Sequence, residues 1–125
     1  MKTGLVLIVE DTDNIRNLYV DAFTAAGLEV ATAKDGAEGV KQALTLHPDV
    51  ILMDILMPPG MDGHTAVSKI REDGWGKHAK VIYLTNLDDA ENVVHAVERK
   101  SDEYIIKSNT DIKEVVNKAR AVMYS

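Results

Sequence analysis

The chain has 125 residues, 46% of them hydrophobic and 27% charged, no cysteine and a formal net charge of −6. That length fits one domain able to bury about two-thirds of its unfolded surface, and the lack of cysteine excludes a disulfide framework or a thiolate metal site. The acidic balance argues against nonspecific nucleic-acid binding, which relies on Lys and Arg meeting phosphates, and no apolar run approaches the roughly 20 residues needed to span a bilayer.

The opening segment MKTGLVLIVED is apolar only from Leu5 to Val9, meets Glu10 and Asp11 at once and lacks a small-residue cleavage site. It reads as a strand, not a signal peptide, and a cytoplasmic protein is expected. A run this short and continuous suits a strand buried on both faces. Ile15, Leu18, Tyr19, Ala22, Phe23 and Ala26 then recur at helical spacing, with Gly27 as the stop. Glu29 to Ala33 predicts a second, weaker strand. Asp35 is the expected N-cap of a helix presenting Ala37, Val40 and Leu44 on one face. His47-Pro48 closes it, because proline disfavours helix in the residue before it.

Val50 to Met53 is the most apolar strand and belongs at the centre of a sheet. Met57 to Gly63 is a loop rich in proline and glycine, after which Ala66, Val67 and Ile70 predict a short helix broken by Gly74-Trp75-Gly76. Val81 to Leu84 predicts the fourth strand. Ala90, Val93, Val94 and Val97 predict a helix with Asp88, Asp89 and Glu91 near its start and Arg99 and Lys100 near its end, an order that complements the helix dipole. Tyr104 to Ile106 is the fifth strand. Ile112, Val115, Val116, Ala119, Val122 and Met123 mark the stripe of a last helix.

Strict alternation of strand and helix predicts an α/β fold with a parallel sheet, right-handed crossovers and helices on both faces. Five such units match the flavodoxin-like (βα)5 doubly wound sheet with strand order 2-1-3-4-5, in which strands 1 and 3 are neighbours. The residues at the carboxyl ends of the strands then converge, and that edge is where open α/β sheets bind ligands. Glu10 and Asp11 end the first apolar run, Asp54 the second, Thr85 a third and Lys107 a fourth. Three carboxylates, one hydroxyl and one amine suit a divalent cation and a phosphoryl group. Like charges 4 Å apart repel by about 4 kcal/mol at an effective dielectric near 20, so such a cluster needs a cation or a shared proton. All-oxygen ligands completed by water suit Mg²⁺.

With these residues and the Met61-Asp62-Gly63 triplet in place, the chain resembles the receiver domain of two-component response regulators over essentially its whole length, residues 1–125. The resemblance implies that Asp54 is the phosphoacceptor, a carboxylate nucleophile forming an acyl phosphate. It implies that Asp11, Asp54 and the backbone carbonyl of Leu56 bind Mg²⁺, with Glu10 acting through water. Lys107 would pair with Asp54 and then with a phosphoryl oxygen, and Thr85 would donate to another. Thr85 and Tyr104 would be the switch, acting on a face made by the fourth helix, fifth strand and last helix. The implied donor is a sensor histidine kinase or a histidine phosphotransfer protein. The downstream protein partner is unspecified, and no direct nucleic-acid or membrane partner is expected.

Blander readings apply elsewhere. His47, His64, His78 and His95 lie in different segments without an i, i+4 pair and read as solvated surface residues. Met53, Met57 and Met61 read as packing, and Trp75 as a local lid over the core. Several places depart from the family pattern. The loop after Asp54 is one residue longer than usual before Met61, Asn86 replaces a small residue, and Lys100-Ser101 replaces Gly-Ala. Ser108 follows Lys107 where proline is usual, and a cis bond before a non-proline residue costs roughly 2.5–4 kcal/mol. Ser108, Asn109 and Thr110 read instead as a remodelled loop that caps the last helix. Two other function classes make demands that this sequence does not meet. A phosphatase resembling haloacid dehalogenases would need an acid at Leu56, and a flavin-mononucleotide carrier would need a phosphate-binding loop where Glu10 and Asp11 stand.

Overall fold

The structure is a computed structural model that describes residues 4–57, 60–85, 103–106 and 111–124. The helix predicted over residues 88–100, Asn86, His95, Lys107 and the loop at 108–110 lie outside the described residues. The strands are β1 (Leu5–Val9), β2 (Glu29–Ala33), β3 (Val50–Asp54), β4 (Val81–Thr85) and β5 (Glu103–Ile106). The helices are α1 (Asp13–Ala25), α2 (Gly36–Leu46), α3 (Gly63–Ile70) and α4 (Ile112–Met123), with a 3₁₀ turn at Gly76–His78. All strand pairs are parallel, and their order is β2-β1-β3-β4-β5. This is the expected flavodoxin-like sheet.

The apolar runs are continuous because alternate residues feed two cores. Val6, Ile8, Val50, Leu52, Ile82 and Leu84 pack with Phe23 of α1 and Val115 and Ala119 of α4. Their neighbours Leu7, Val9, Ile51, Met53, Val81 and Tyr83 pack on the opposite side with Ala43 of α2 and Ala66, Val67 and Ile70 of α3. The start of the central pair is pinned as well. Leu5 N–H donates to Asp49 Oδ2 at 2.7 Å, and Asp49 N–H donates to Leu5 O at 2.8 Å.

Local signals explain most boundaries. Asp35 accepts from Glu38 N–H at 2.8 Å at the start of α2. Gly27 turns the chain after α1 with φ +86°, a conformation that suits a residue without Cβ. His47 ends α2 in the left-handed region at φ 50° rather than in the extended conformation favoured before proline. The cap of the last helix is corrected. Asp111, not Ser108, Asn109 or Thr110, is the N-cap of α4, its carboxylate accepting from Lys113 N–H at 2.9 Å. Met53 and Met57 are buried and Met61 packs beside them, as expected of filler. Trp75 also lies against that core, with His47 stacked on its ring.

The loop after β3 is held by Gly63. Its N–H donates to Ile55 O at 2.8 Å, while Asp62 accepts from Thr65 N–H at 2.8 Å and caps α3. A Cβ at Gly63 would lie 2.4 Å from the main-chain oxygen of Asp54 and 3.0 Å from Ile55 Cα. Backbone cannot yield as a side-chain tip can. Gly63→Ala is therefore expected to destabilise the fold by about 1–3 kcal/mol, the usual cost of overpacking. Gly74→Ala, whose Cβ would meet nothing within 4 Å, should stay within about 0.5 kcal/mol of the parent. Urea denaturation of both variants checks this, and equal midpoints would show that the approach at Gly63 is not tight.

Candidate functional site

Register decides which residues meet at the carboxyl edge of the sheet. Val9 lies opposite Met53, so Glu10 and Asp54 leave the sheet side by side, at a strand spacing of about 4.8 Å. Both share the alternation of Val6, Ile8, Val50 and Leu52, whose side chains meet α1 and α4. Glu10 is 0% and Asp54 5% exposed, whereas Asp11, on the bend that follows, is exposed. One carboxylate oxygen from each of the three lies within 4.8 Å of the others. The predicted acidic cluster is thus assembled among the described residues.

The donor set fits a hard divalent cation. Octahedral Mg²⁺ holds oxygens at about 2.0–2.1 Å, so two direct ligands stand at most about 4.2 Å apart, and a carboxylate acting through water stands further off. A spread bounded at 4.8 Å accommodates both kinds of contact. Two buried acids supply the floor, and the exposed Asp11 leaves one side open to water and to an anionic ligand.

Among the described residues, the backbone register and burial locate Thr85, Leu56 and Tyr104 relative to this cluster. Asp54 is opposite Leu84 in β4, so Thr85 follows directly beside it as the last residue of that strand. Thr85 in turn is opposite Ile106, the residue before Lys107. Leu56, two residues beyond Asp54, is 48% exposed. Tyr104 is opposite Tyr83 in register, and their ring centroids lie 4.7 Å apart with the planes tilted by 35°.

One reading of the histidines is corrected by this neighbourhood. His64 is not a solvated surface residue: it is half-buried, and its ring lies 4.7 Å from that of Tyr83. Its Nε2 is 3.3 Å from the Tyr104 hydroxyl. The aromatic expected to act as a switch therefore has partners on β4 and on α3. His47 and His78 are exposed. Sequence reading also passed over Arg16, whose guanidinium donates to Glu10 O at 2.9 Å and pairs with Asp13. The signal for Arg16 was present as an i, i+3 acid–base pair at the start of α1. His64 had only its position directly after Gly63.

No helix among the described residues is long and apolar enough to cross a membrane. Comparison with known proteins is consistent in kind. The family model for the response regulator receiver domain matches residues 6–120. Response regulator PleD of Caulobacter vibrioides is 33% identical over 107 residues, which are 86% of this chain and 23% of PleD. The chain thus spans about a quarter of that relative's length. Among solved structures, a response regulator from Chloroflexus aurantiacus superposes with a TM-score of 0.88 at 27% identity, covering 99% of this chain and 100% of the other. The receiver domain of the sensor histidine kinase PA1611 from Pseudomonas aeruginosa shares the fold with a TM-score of 0.87 at 23% identity, covering 99% and 100%. That structure holds a magnesium ion coordinated in its active-site cleft. Family match, sheet order and clustered acids agree, and the chain belongs to the response-regulator receiver domains, the phosphoacceptors of two-component signalling.

Proposed function

We propose that the chain takes a phosphoryl group onto Asp54 from the phosphohistidine of a sensor histidine kinase or a histidine phosphotransfer protein. Residues 1–125 would act as one receiver domain, in the cytoplasm, where the ATP that charges the donor is found. The observation that carries this reading is the burial of Glu10 and Asp54 beside Asp11 at the ligand-binding edge of the sheet. Acids packed this closely are retained where a cation is wanted. Bound Mg²⁺ would neutralise them and orient phosphoryl oxygens for in-line transfer. Asp11, Asp54 and the main-chain carbonyl of Leu56 would hold it directly, and Glu10 through water. The magnesium in the PA1611 receiver domain supports that assignment by analogy of fold.

Asp54 is the nucleophile in this reading. One Oδ attacks phosphorus as the bond from phosphorus to the donor imidazole nitrogen breaks, and the imidazole leaves with the electron pair. Lys107 pairs with Asp54 before transfer and with a phosphoryl oxygen afterwards, and Thr85 donates its hydroxyl to another oxygen. Acetyl phosphate with Mg²⁺ should add one phosphoryl group by intact-mass spectrometry, and Asp54→Asn should abolish the addition. Labelling that persists in Asp54→Asn would move the acceptor elsewhere.

Output would run through Thr85 and Tyr104 to a face made by residues 88–100, β5 and α4, which a downstream protein reads. The partners of Tyr104 support a discrete movement. Leaving its place forfeits the tilted ring contact with Tyr83 and the contact with His64 together, which favours two states over a graded shift. Adding beryllium fluoride with Mg²⁺ should shift amide NMR signals at Asn86 to Val97, at Tyr104 and at His64. Shifts confined to Glu10, Asp11 and Asp54 would indicate a phosphate sink without a switch.

The phosphorylated state should be long-lived for a receiver domain. Hydrolysis needs a water aligned with phosphorus, and a polar side chain helps to orient it. Leu56 and Leu87, two places after Asp54 and Thr85, cannot hydrogen-bond such a water. The half-exposed Leu56 leaves room for a polar replacement. After loading with acetyl phosphate and removal of the donor, Leu56→Asn should lose its phosphoryl group about tenfold faster, the effect of one hydrogen bond of about 1.4 kcal/mol in the transition state. An unchanged rate by intact mass would sink this account of lifetime.

A further inference from the structure

Arg16 stands in the first turns of α1 and reaches back to the strand that precedes it. Its Nη1 donates to the main-chain oxygen of Glu10 at 2.9 Å, and its Nη2 pairs with the Asp13 carboxylate. The Arg16 side chain is 16% exposed, against 81% for Asp13. On the other side of the same residue, Glu10 N–H donates to Ala33 O at 3.0 Å. The ladders of β1 end at Val9, and Arg16 holds the Glu10 carbonyl one residue beyond them. Thr12, the N-cap of α1, makes no side-chain capping bond. The guanidinium therefore braces a turn that lacks its usual brace.

The clamped carbonyl belongs to the peptide that joins Glu10 to Asp11. A peptide unit is planar, so fixing its oxygen fixes the plane from which both carboxylate-bearing Cα atoms hang, about 3.8 Å apart. A forked, planar cation reaches a carbonyl and a carboxylate through two nitrogens held rigidly relative to one another, as Nη1 and Nη2 are here. The direction of the fork matters too. A guanidinium turned onto the three acids would compete with a metal ion for their charge. Here its two contacting nitrogens are aimed at a carbonyl and at Asp13.

We infer that Arg16 is a positioning residue of the metal site, setting the turn between β1 and α1 so that Glu10 and Asp11 are presented together to Mg²⁺. This rests on the reading of the acidic pocket as a Mg²⁺ site. The test is calorimetric titration of Mg²⁺ into the parent chain and into Arg16→Met, Arg16→Lys and Asp11→Ala. A second measurement is the Mg²⁺ dependence of labelling by acetyl phosphate. Arg16→Met should weaken Mg²⁺ about tenfold, equal to about 1.4 kcal/mol. Arg16→Lys, with a point donor in place of a fork, should fall between that variant and the parent. At saturating Mg²⁺ both should label at the parental rate, whereas a general loosening of the fold would lower the rate at every concentration.

Parental Mg²⁺ affinity in Arg16→Met, or labelling that stays depressed at saturating Mg²⁺, overturns the role of Arg16. Should Arg16→Met fail to fold, Arg16→Lys decides alone, and undiminished affinity there overturns the proposal. Parental affinity in Asp11→Ala is a different result: it removes the Mg²⁺ site on which the proposal rests.

Discussion

Two carboxylates buried side by side at the ends of neighbouring central strands are the constraint on which the rest of this structure depends. Glu10 and Asp54 sit where a soluble protein would ordinarily place apolar residues, and Asp11 adds a third charge within 4.8 Å. Repulsion of about 4 kcal/mol for one pair at 4 Å is a large share of a domain's net stability of about 5–15 kcal/mol. Apolar packing on both faces of β1 and β3 is what lets the fold carry that load. A cation that binds the folded chain and not the unfolded one then stabilises it by mass action. A cation bound at the proposed site would relieve that repulsion and tie stability to ligation.

The same constraint explains why register matters more than any single contact. Sliding β1 by one residue against β3 would turn Glu10 to the opposite face and separate it from Asp54. The paired hydrogen bonds between Leu5 and Asp49 at one end and the clamp on Glu10 at the other oppose that slip. Gly63 adds a third restraint, resting against the main-chain oxygen of Asp54 with no room for a side chain. The next residue, His64, touches Tyr83 and Tyr104. One residue therefore separates the packing of Asp54 from that of the aromatic on β5. That arrangement gives α3, as well as β4, a physical connection to the face proposed for output.

Strand ends were legible in the sequence because each buried run stops at a polar residue, and the order of five alternating units leaves few topologies. The acidic cluster followed from that order alone. What stayed hidden was set by contacts between elements. His64 looked like a surface histidine because nothing local reveals that Tyr83 and Tyr104 stand across from it. Arg16 drew no attention in the sequence, since its bond to the Glu10 carbonyl exists only once helix and strand are packed. The cap of α4 was misplaced because Ser108, Asn109, Thr110 and Asp111 are all good capping residues. Asp111 is the one that precedes the first helical residue.

The electrostatics of the edge also separate the competing chemistries. A flavin phosphate would have to settle at the end of β1, where Glu10 and Asp11 oppose it and where nucleotide-binding folds supply N–H or hydroxyl donors. A phosphatase resembling haloacid dehalogenases would need an acid at Leu56, and a leucine cannot exchange a proton with the leaving group or the water. A receiver needs neither. It needs a nucleophilic carboxylate with enough negative charge around it to recruit a divalent cation, and that cation to make the same place attractive to a phosphoryl group. On the proposed function, charge of one sign would do two jobs in sequence: reject a bare phosphate and admit one accompanied by metal. In the proposed reading this order of events would make Asp54 a conditional acceptor, as expected of three acids at the edge of one sheet.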